Sequence, residues 1–167
     1  MIYFVPKIDE PLDQGDLIDD CPVASITQMH VGRVDQSRYD FDLHRVIVLT
    51  QTCDLAMDKT KSVVVASVFD AQAMIDAGLV KAADVKGPIR TGRSFGLYFL
   101  PAKPDASIGE MIVDLRRLHT VGIEFFDALR LAGKRRLRLL TPYREHLAKH
   151  FADTYSRIGL PQPYETI

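Results

Sequence analysis

Two stretches of this sequence carry side chains able to do nucleophilic or phosphate chemistry. The first is Cys53-Asp54, inside Gln51-Thr52-Cys53-Asp54-Leu55, which joins two apolar runs. A loop at a strand end is a common seat for functional groups. A thiol there would be a nucleophile if His30, His44 or His119 served as its base. The adjacent carboxylate opposes this, because a negative neighbour raises a thiol pKa and suppresses the thiolate. The structural alternative makes Cys53 a small buried residue and Asp54 a turn cap. The second stretch is a basic cluster of Arg116, Arg117, Lys134, Arg135, Arg136 and Arg138. Alternation in Arg136-Leu137-Arg138-Leu139 puts arginines on one strand face, which suits tracking a phosphate backbone. The competing reading is an edge strand guarded by charge. Stacking aromatics are not interleaved with these residues, and Phe125 and Phe126 are expected in the core. Cys21, Cys53 and a histidine could ligate zinc, but no pair has the short spacing of a structural site, so no metal or cofactor is expected. Arg90-Thr91-Gly92-Arg93 lacks the spacing of a phosphate loop.

The formal net charge is −1, yet it is unevenly distributed. Residues 1–60 hold 11 acids against 5 bases, and residues 111–150 hold 4 acids against 9 bases. Either the basic segment offers phosphate-attracting surface, or the two segments face and neutralise each other. At 167 residues and 47% hydrophobic, the chain suits one domain spanning 1–167. No apolar run is long enough for a bilayer and the amino terminus is unlike a signal peptide, so a cytoplasmic protein without membrane contact is expected. Two cysteines are too few for a disulfide framework.

The elements that must position these groups are mostly strands. Residues 10–20 read as loop and short strand. Val46 to Thr50 and Ser62 to Phe69 are apolar, β-branched runs expected side by side at the centre of an antiparallel sheet. Asp70 is a candidate N-cap for a short helix over Ala71 to Asp76, stopped by Gly78. Ser94 to Leu100, Glu110 to Leu115 and Leu137 to Leu140 are further strand candidates. The last helix spans 142–158, with Thr141 as cap, Pro142 in the first turn, Gly159 and Pro161 as stop, and a face of Tyr143, Leu147, Phe151, Tyr155 and Ile158. Short strands with sparse helix describe an α+β fold, a small, partly open antiparallel β-barrel with a short inserted helix and a C-terminal amphipathic helix.

The order of segments resembles the PemK/MazF group of toxins. Gln14-Gly15-Asp16-Leu17-Ile18 stands where those proteins carry Gly-Asp before the first strand. Arg45-Val46-Ile47-Val48-Leu49-Thr50 is similar to their Arg-Pro and apolar strand, without the proline. Residues 63–69 match the following strand, residues 111–121 resemble the strand that runs into Gln-Ile-Arg-Thr, and residues 142–159 resemble the closing helix. The resemblance implies an SH3-like barrel, a homodimer, an antitoxin-like protein partner and RNA cleavage. Arg45 falls on the family's catalytic arginine, whereas its catalytic threonine falls on Phe69, which can neither orient nor stabilise a phosphate. Ser67 lies two residues away on the same strand face.

The expected function is therefore a non-catalytic or weakly catalytic module that binds RNA or a protein. The alternative is an endoribonuclease using Arg45 assisted by His119 or Thr120. A Cys53-centred thiol or metal enzyme trails both.

Overall fold

The computed structural model describes residues 1–56 and 60–156. Among them, seven strands form one sheet: β1 (Tyr3–Phe4), β2 (Asp16–Gln28), β3 (Arg38–Val48), β4 (Ser62–Asp70), β5 (Leu97–Leu100), β6 (Met111–Gly122) and β7 (Arg135–Leu139). Their order is β1-β7-β2-β3-β4-β6-β5, and every pairing is antiparallel. Five α-helices accompany them: α1 (Thr52–Ala56), α2 (Ala71–Asp76), α3 (Ala82–Asp84), α4 (Ile123–Leu131) and α5 (Tyr143–Tyr155). No helix among the described residues is long and apolar enough to cross a membrane.

The continuous apolar runs exist because both faces of the sheet are covered. Consecutive strand residues point to opposite faces, so Ile47, Leu49, Ala66 and Val68 join one core with Leu147 of α5. Val46, Val48, Val63 and Val65 join a second core with Leu55 of α1 and Phe126 of α4. As expected, the two runs are antiparallel neighbours, with Val46 opposite Ser67 and Val48 opposite Val65. The sheet curls until its two outer strands approach: Tyr3 of β1 donates to the Pro101 carbonyl just beyond β5 at 2.8 Å. No ladder joins β1 to β5 among the described residues, so the expected barrel is not closed.

Several expectations need correction. β3 begins at Arg38, ahead of the apolar run at Val46, and with β2 it builds a long ribbon in a stretch for which no element was expected. Its alternation, Tyr39-Asp40-Phe41-Asp42-Leu43, carries the strand signal. The chain after β3 forms α1 rather than a plain turn. β5 starts only at Leu97, after Gly96 at φ +68°. β6 continues to Gly122, and α4 follows unannounced. Its signal is Ile123, Phe126 and Leu129 at spacings of three, closed by Gly133 at φ +71°. Phe126 is core as expected, but Phe125 is exposed.

The Asp70 cap forms as read, accepting from the Ala73 amide at 2.8 Å, and Gly78 adopts φ +69°. Thr141 is not the cap of α5: Pro142 occupies that position without a side-chain bond, and the Thr141 hydroxyl donates to Glu145 at 3.0 Å. Ile158, Gly159 and Pro161 lie outside the described residues. Helix α5 docks chiefly through fully buried Leu147, with Phe151 packed at the margin and Tyr143 and Tyr155 exposed. Leu147→Ala is thus expected to cost about 2–5 kcal/mol in urea unfolding. A loss below about 1 kcal/mol would mean that α5 contributes little to the core.

Candidate functional site

Three strands deliver three polar side chains to one point. Period-2 alternation puts His44 on the same face as Val46 and Val48, and Ser67 on the same face as Val63 and Val65. His119 stands opposite Val65 and faces the same way. The Ser67 hydroxyl lies 2.9 Å from His119 Nε2 and 3.3 Å from His44 Nδ1. The two rings are tilted at 48° with centroids 5.6 Å apart. Ser67 is completely buried, while both histidines are half-buried. The second core ends here, and its last layer is polar.

A bulge shapes the site. Between Ala66 and Ser67 the partner on β6 jumps from Leu118 to Asp114, so Leu115, Arg116 and Arg117 are looped out. Bulges re-aim side chains and recur beside active sites. The buried Asp114 carboxylate accepts from the Arg116 backbone at 3.1 Å and from its guanidinium at 2.8 and 3.0 Å. Gly96 makes this possible, since a Cβ there would meet Arg116 Cγ at 2.7 Å. Arg117 is held more loosely, 3.7 Å from Asp114 and 5.4 Å above the Phe69 ring. One carboxylate faces two half-exposed guanidiniums, leaving surplus positive charge beside His119.

Burial, then His44 and Arg117, hold the His119 pKa below its ordinary value of 6.5. The ring is therefore neutral at pH 7 and offers a lone pair. The sign of the stability effect follows. Between the depressed folded pKa and 6.5 the unfolded chain binds more protons, so stability falls as pH falls through that window. His119→Gln should flatten this acid slope in urea unfolding just below about pH 6.5. An unchanged slope would show that His119 is not the group responsible.

His119 and Thr120 also line a cleft of about 430 Å³ between the β2–β3 ribbon and α4. Phe41 and Phe125 stand at this cleft, 68% and 53% exposed, so apolar ring faces are presented to a ligand next to the imidazole.

The other sequence candidates do not converge here. Arg45 points to the opposite face of β3 from His44 and is bound to Asp19 at 2.5 Å. Cys53 is exposed on α1, with its thiol near Gln51 and Asp54. Strand β7 is internal, between β1 and β2, and its cations meet the acidic amino-terminal segment. Arg135 and Arg138 both contact Asp16, and Arg138 also faces Glu10 and Asp13. Arg136 pairs with Asp19 and Lys134 with Asp20. Four of the six basic-cluster residues are thus neutralised by the acidic segment, while Arg116 and Arg117 are half-exposed and share Asp114. Among the described residues no group of three or more His, Cys, Asp or Glu is placed to hold a metal ion. Sequence reading named His119 and Ser67 but not the pairing with His44, because nothing local announces which residues a sheet brings together.

No protein-family model matches the chain, and no curated protein matches it.

Proposed function

We propose that this protein cleaves single-stranded RNA, with His44 and His119 as the acid–base pair and Arg117 as the charge stabiliser. The observation that carries the reading is the His44–Ser67–His119 cluster, whose His119 lines a cleft edged by exposed aromatic rings. One imidazole takes the proton from a ribose 2′-hydroxyl, whose oxygen attacks the adjacent phosphorus. The other imidazole gives a proton to the departing 5′-oxygen, leaving a 2′,3′-cyclic phosphate. Arg117 faces the negative charge that grows on the phosphate oxygens, and Phe41 and Phe125 supply ring faces for stacking bases. The reading departs from the family pattern in replacing Arg45 by Arg117. It keeps the SH3-like character of the curled sheet, supported by the PemK/MazF-like segment order. A cytoplasmic setting is part of the proposal, supported by the free, exposed Cys53.

The non-catalytic alternative draws support from one feature. Ile26, Tyr39, Phe41 and Leu43 form an exposed apolar face on the β2–β3 ribbon, with Ile26 opposite Tyr39 and Ala24 opposite Phe41. Such a face suits a protein partner. The deciding experiment incubates purified protein with a mixed-sequence single-stranded RNA in chelator. Cyclic-phosphate products, lost in His119→Gln and retained in Arg45→Ala, are expected. Intact RNA after prolonged incubation would defeat the catalytic reading and turn attention to the ribbon.

A further inference from the structure

The two imidazoles are joined by a hydroxyl that carries a single hydrogen. With both rings neutral, each has one N–H and one lone pair. Ser67 can donate to only one of the two ring nitrogens that face it, 2.9 Å away on His119 and 3.3 Å away on His44, and it accepts from the N–H of the other. If it donates to His119 Nε2, then His119 Nδ1 carries hydrogen and His44 Nε2 is bare. If it donates to His44 Nδ1, the outer nitrogens exchange roles. An outer pair with both nitrogens protonated breaks one of the two bonds, and an outer pair with both bare leaves the Ser67 O–H without an acceptor where water has no access.

We infer that Ser67 is a proton relay that locks His44 and His119 into one two-state unit, always offering substrate one lone pair and one N–H. This rests on the acid–base reading of the site and extends it. A proton taken up at bare His44 Nε2 releases the Nδ1 proton to Ser67 Oγ. The Ser67 proton passes to His119 Nε2, and the proton on His119 Nδ1 leaves to the departing oxygen. Three bonds are exchanged within the unit, its net charge is unchanged, and it finishes in the opposite tautomeric state. That inverted state has the lone pair and the N–H on the sides that hydrolysis of a cyclic phosphate requires, since the second step reverses the roles of the first. Ser67 never touches substrate, so it is a positioning residue acting through the two rings.

The charged and titratable groups that face the pair come from three strands. Arg117 on β6 disfavours a cationic His119, and its partner Asp114 is already engaged by Arg116. On β3, Asp42 lies on the same face as His44. On β2, Cys21 stands opposite His44, and burial pushes its thiol up to about 11, so it stays protonated.

The test separates the relay from the reaction. In the ¹⁵N-labelled protein without RNA, ring-nitrogen shifts at pH 7.5 should show complementary outer nitrogens on the two histidines. Ser67→Ala should abolish that correlation, and Ser67→Thr, which keeps a hydroxyl, should restore it. Thermal melting checks that each variant is folded. Outer nitrogens both bare or both protonated in the parent protein, which means opposite tautomers on the two rings, or a correlation that survives in Ser67→Ala, would overturn the relay whether or not RNA is cut. Single-turnover RNA cleavage supplies the second arm. Ser67→Ala should be slower by about tenfold, the order of one lost hydrogen bond in the transition state. Its rate in mixed H₂O/D₂O should bow less with deuterium content than the parent rate, whose curve also carries the relay protons. A linear parent curve would overturn concerted relay. Absent cleavage together with complementary outer nitrogens would defeat the ribonuclease reading and leave the relay standing.

Discussion

Asp16→Ala is expected to lower the stability of this protein by about 3–5 kcal/mol, the range for removing one partner from a buried ion pair. Its carboxylate is 0% exposed and accepts from Arg138 at 2.5 and 2.8 Å, from Arg135 at 3.4 Å and from the Asp13 amide at 3.0 Å. The guanidiniums are themselves secluded, with side chains 2% exposed at Arg135 and 10% at Arg138. Removing Asp16 leaves Arg135 without its counter-ion and Arg138 with only the more distant carboxylates of Glu10 and Asp13, at 3.6 and 3.7 Å, in a place that water hardly reaches. Backbone carbonyls still hold them in part, since Arg135 donates to those of Glu10 and Pro11 at 2.8 and 3.0 Å, and Arg138 to that of Pro11 at 2.7 Å. A typical domain has a total stability of about 5–15 kcal/mol, so the loss is a large share of it. Urea unfolding of parent and variant measures it, and a difference under about 1 kcal/mol would show that the pair is not sealed from solvent. The same reasoning assigns Arg135→Ala to stability rather than RNA affinity: a flatter salt dependence in that variant would report a loosened fold.

His44→Gln and His119→Gln should each slow RNA cleavage by about 10²–10⁴-fold, the range for losing one general acid or base. The double variant should be little worse than the slower single one, because members of one proton-transfer unit lose their effects together. Arg117→Ala removes charge stabilisation without emptying the core, since its side chain is 57% exposed, and should cost about 10²–10³-fold. The rate should follow a bell-shaped pH profile whose acid limb falls below the ordinary histidine value, because burial, His44 and Arg117 all disfavour the His119 cation. Single-turnover kinetics on a defined oligonucleotide measure each effect. Unchanged rates in both histidine variants would remove the site from the reaction, and an acid limb above pH 6.5 would contradict a depressed His119.

Much of the local architecture was legible from residue order. The runs around Val46 and Val63 announced paired central strands, and the cap and stop at Asp70 and Gly78 depend on chemistry within a few residues of the helix they bound. The ribbon from Arg38 was written in the alternation of Tyr39, Phe41 and Leu43, although its apolar face is covered by nothing among the described residues. Helix α4 was masked by the apolar run before it, which continues into it without a strong cap: Gly122 occupies the cap position and bonds nothing through a side chain.

The candidate site was legible only as parts. Composition and spacing determined that strands dominate, that the amino-terminal segment is acidic and that the later segment is basic. They left open whether those charges meet each other or a ligand. Pairing decided it, by placing β7 against β2 so that Asp16 lies between Arg135 and Arg138. Ser67 stands 23 residues from His44 and 52 from His119. No helical or strand period links positions so far apart, because local periodicity states which face a residue takes and not which strand lies beside it. The register of β3 and β6 against β4, with the bulge at Leu115 to Arg117, brings the three together. That register is chosen by burial of two apolar faces at once, a property of the folded sheet and of no single segment in it.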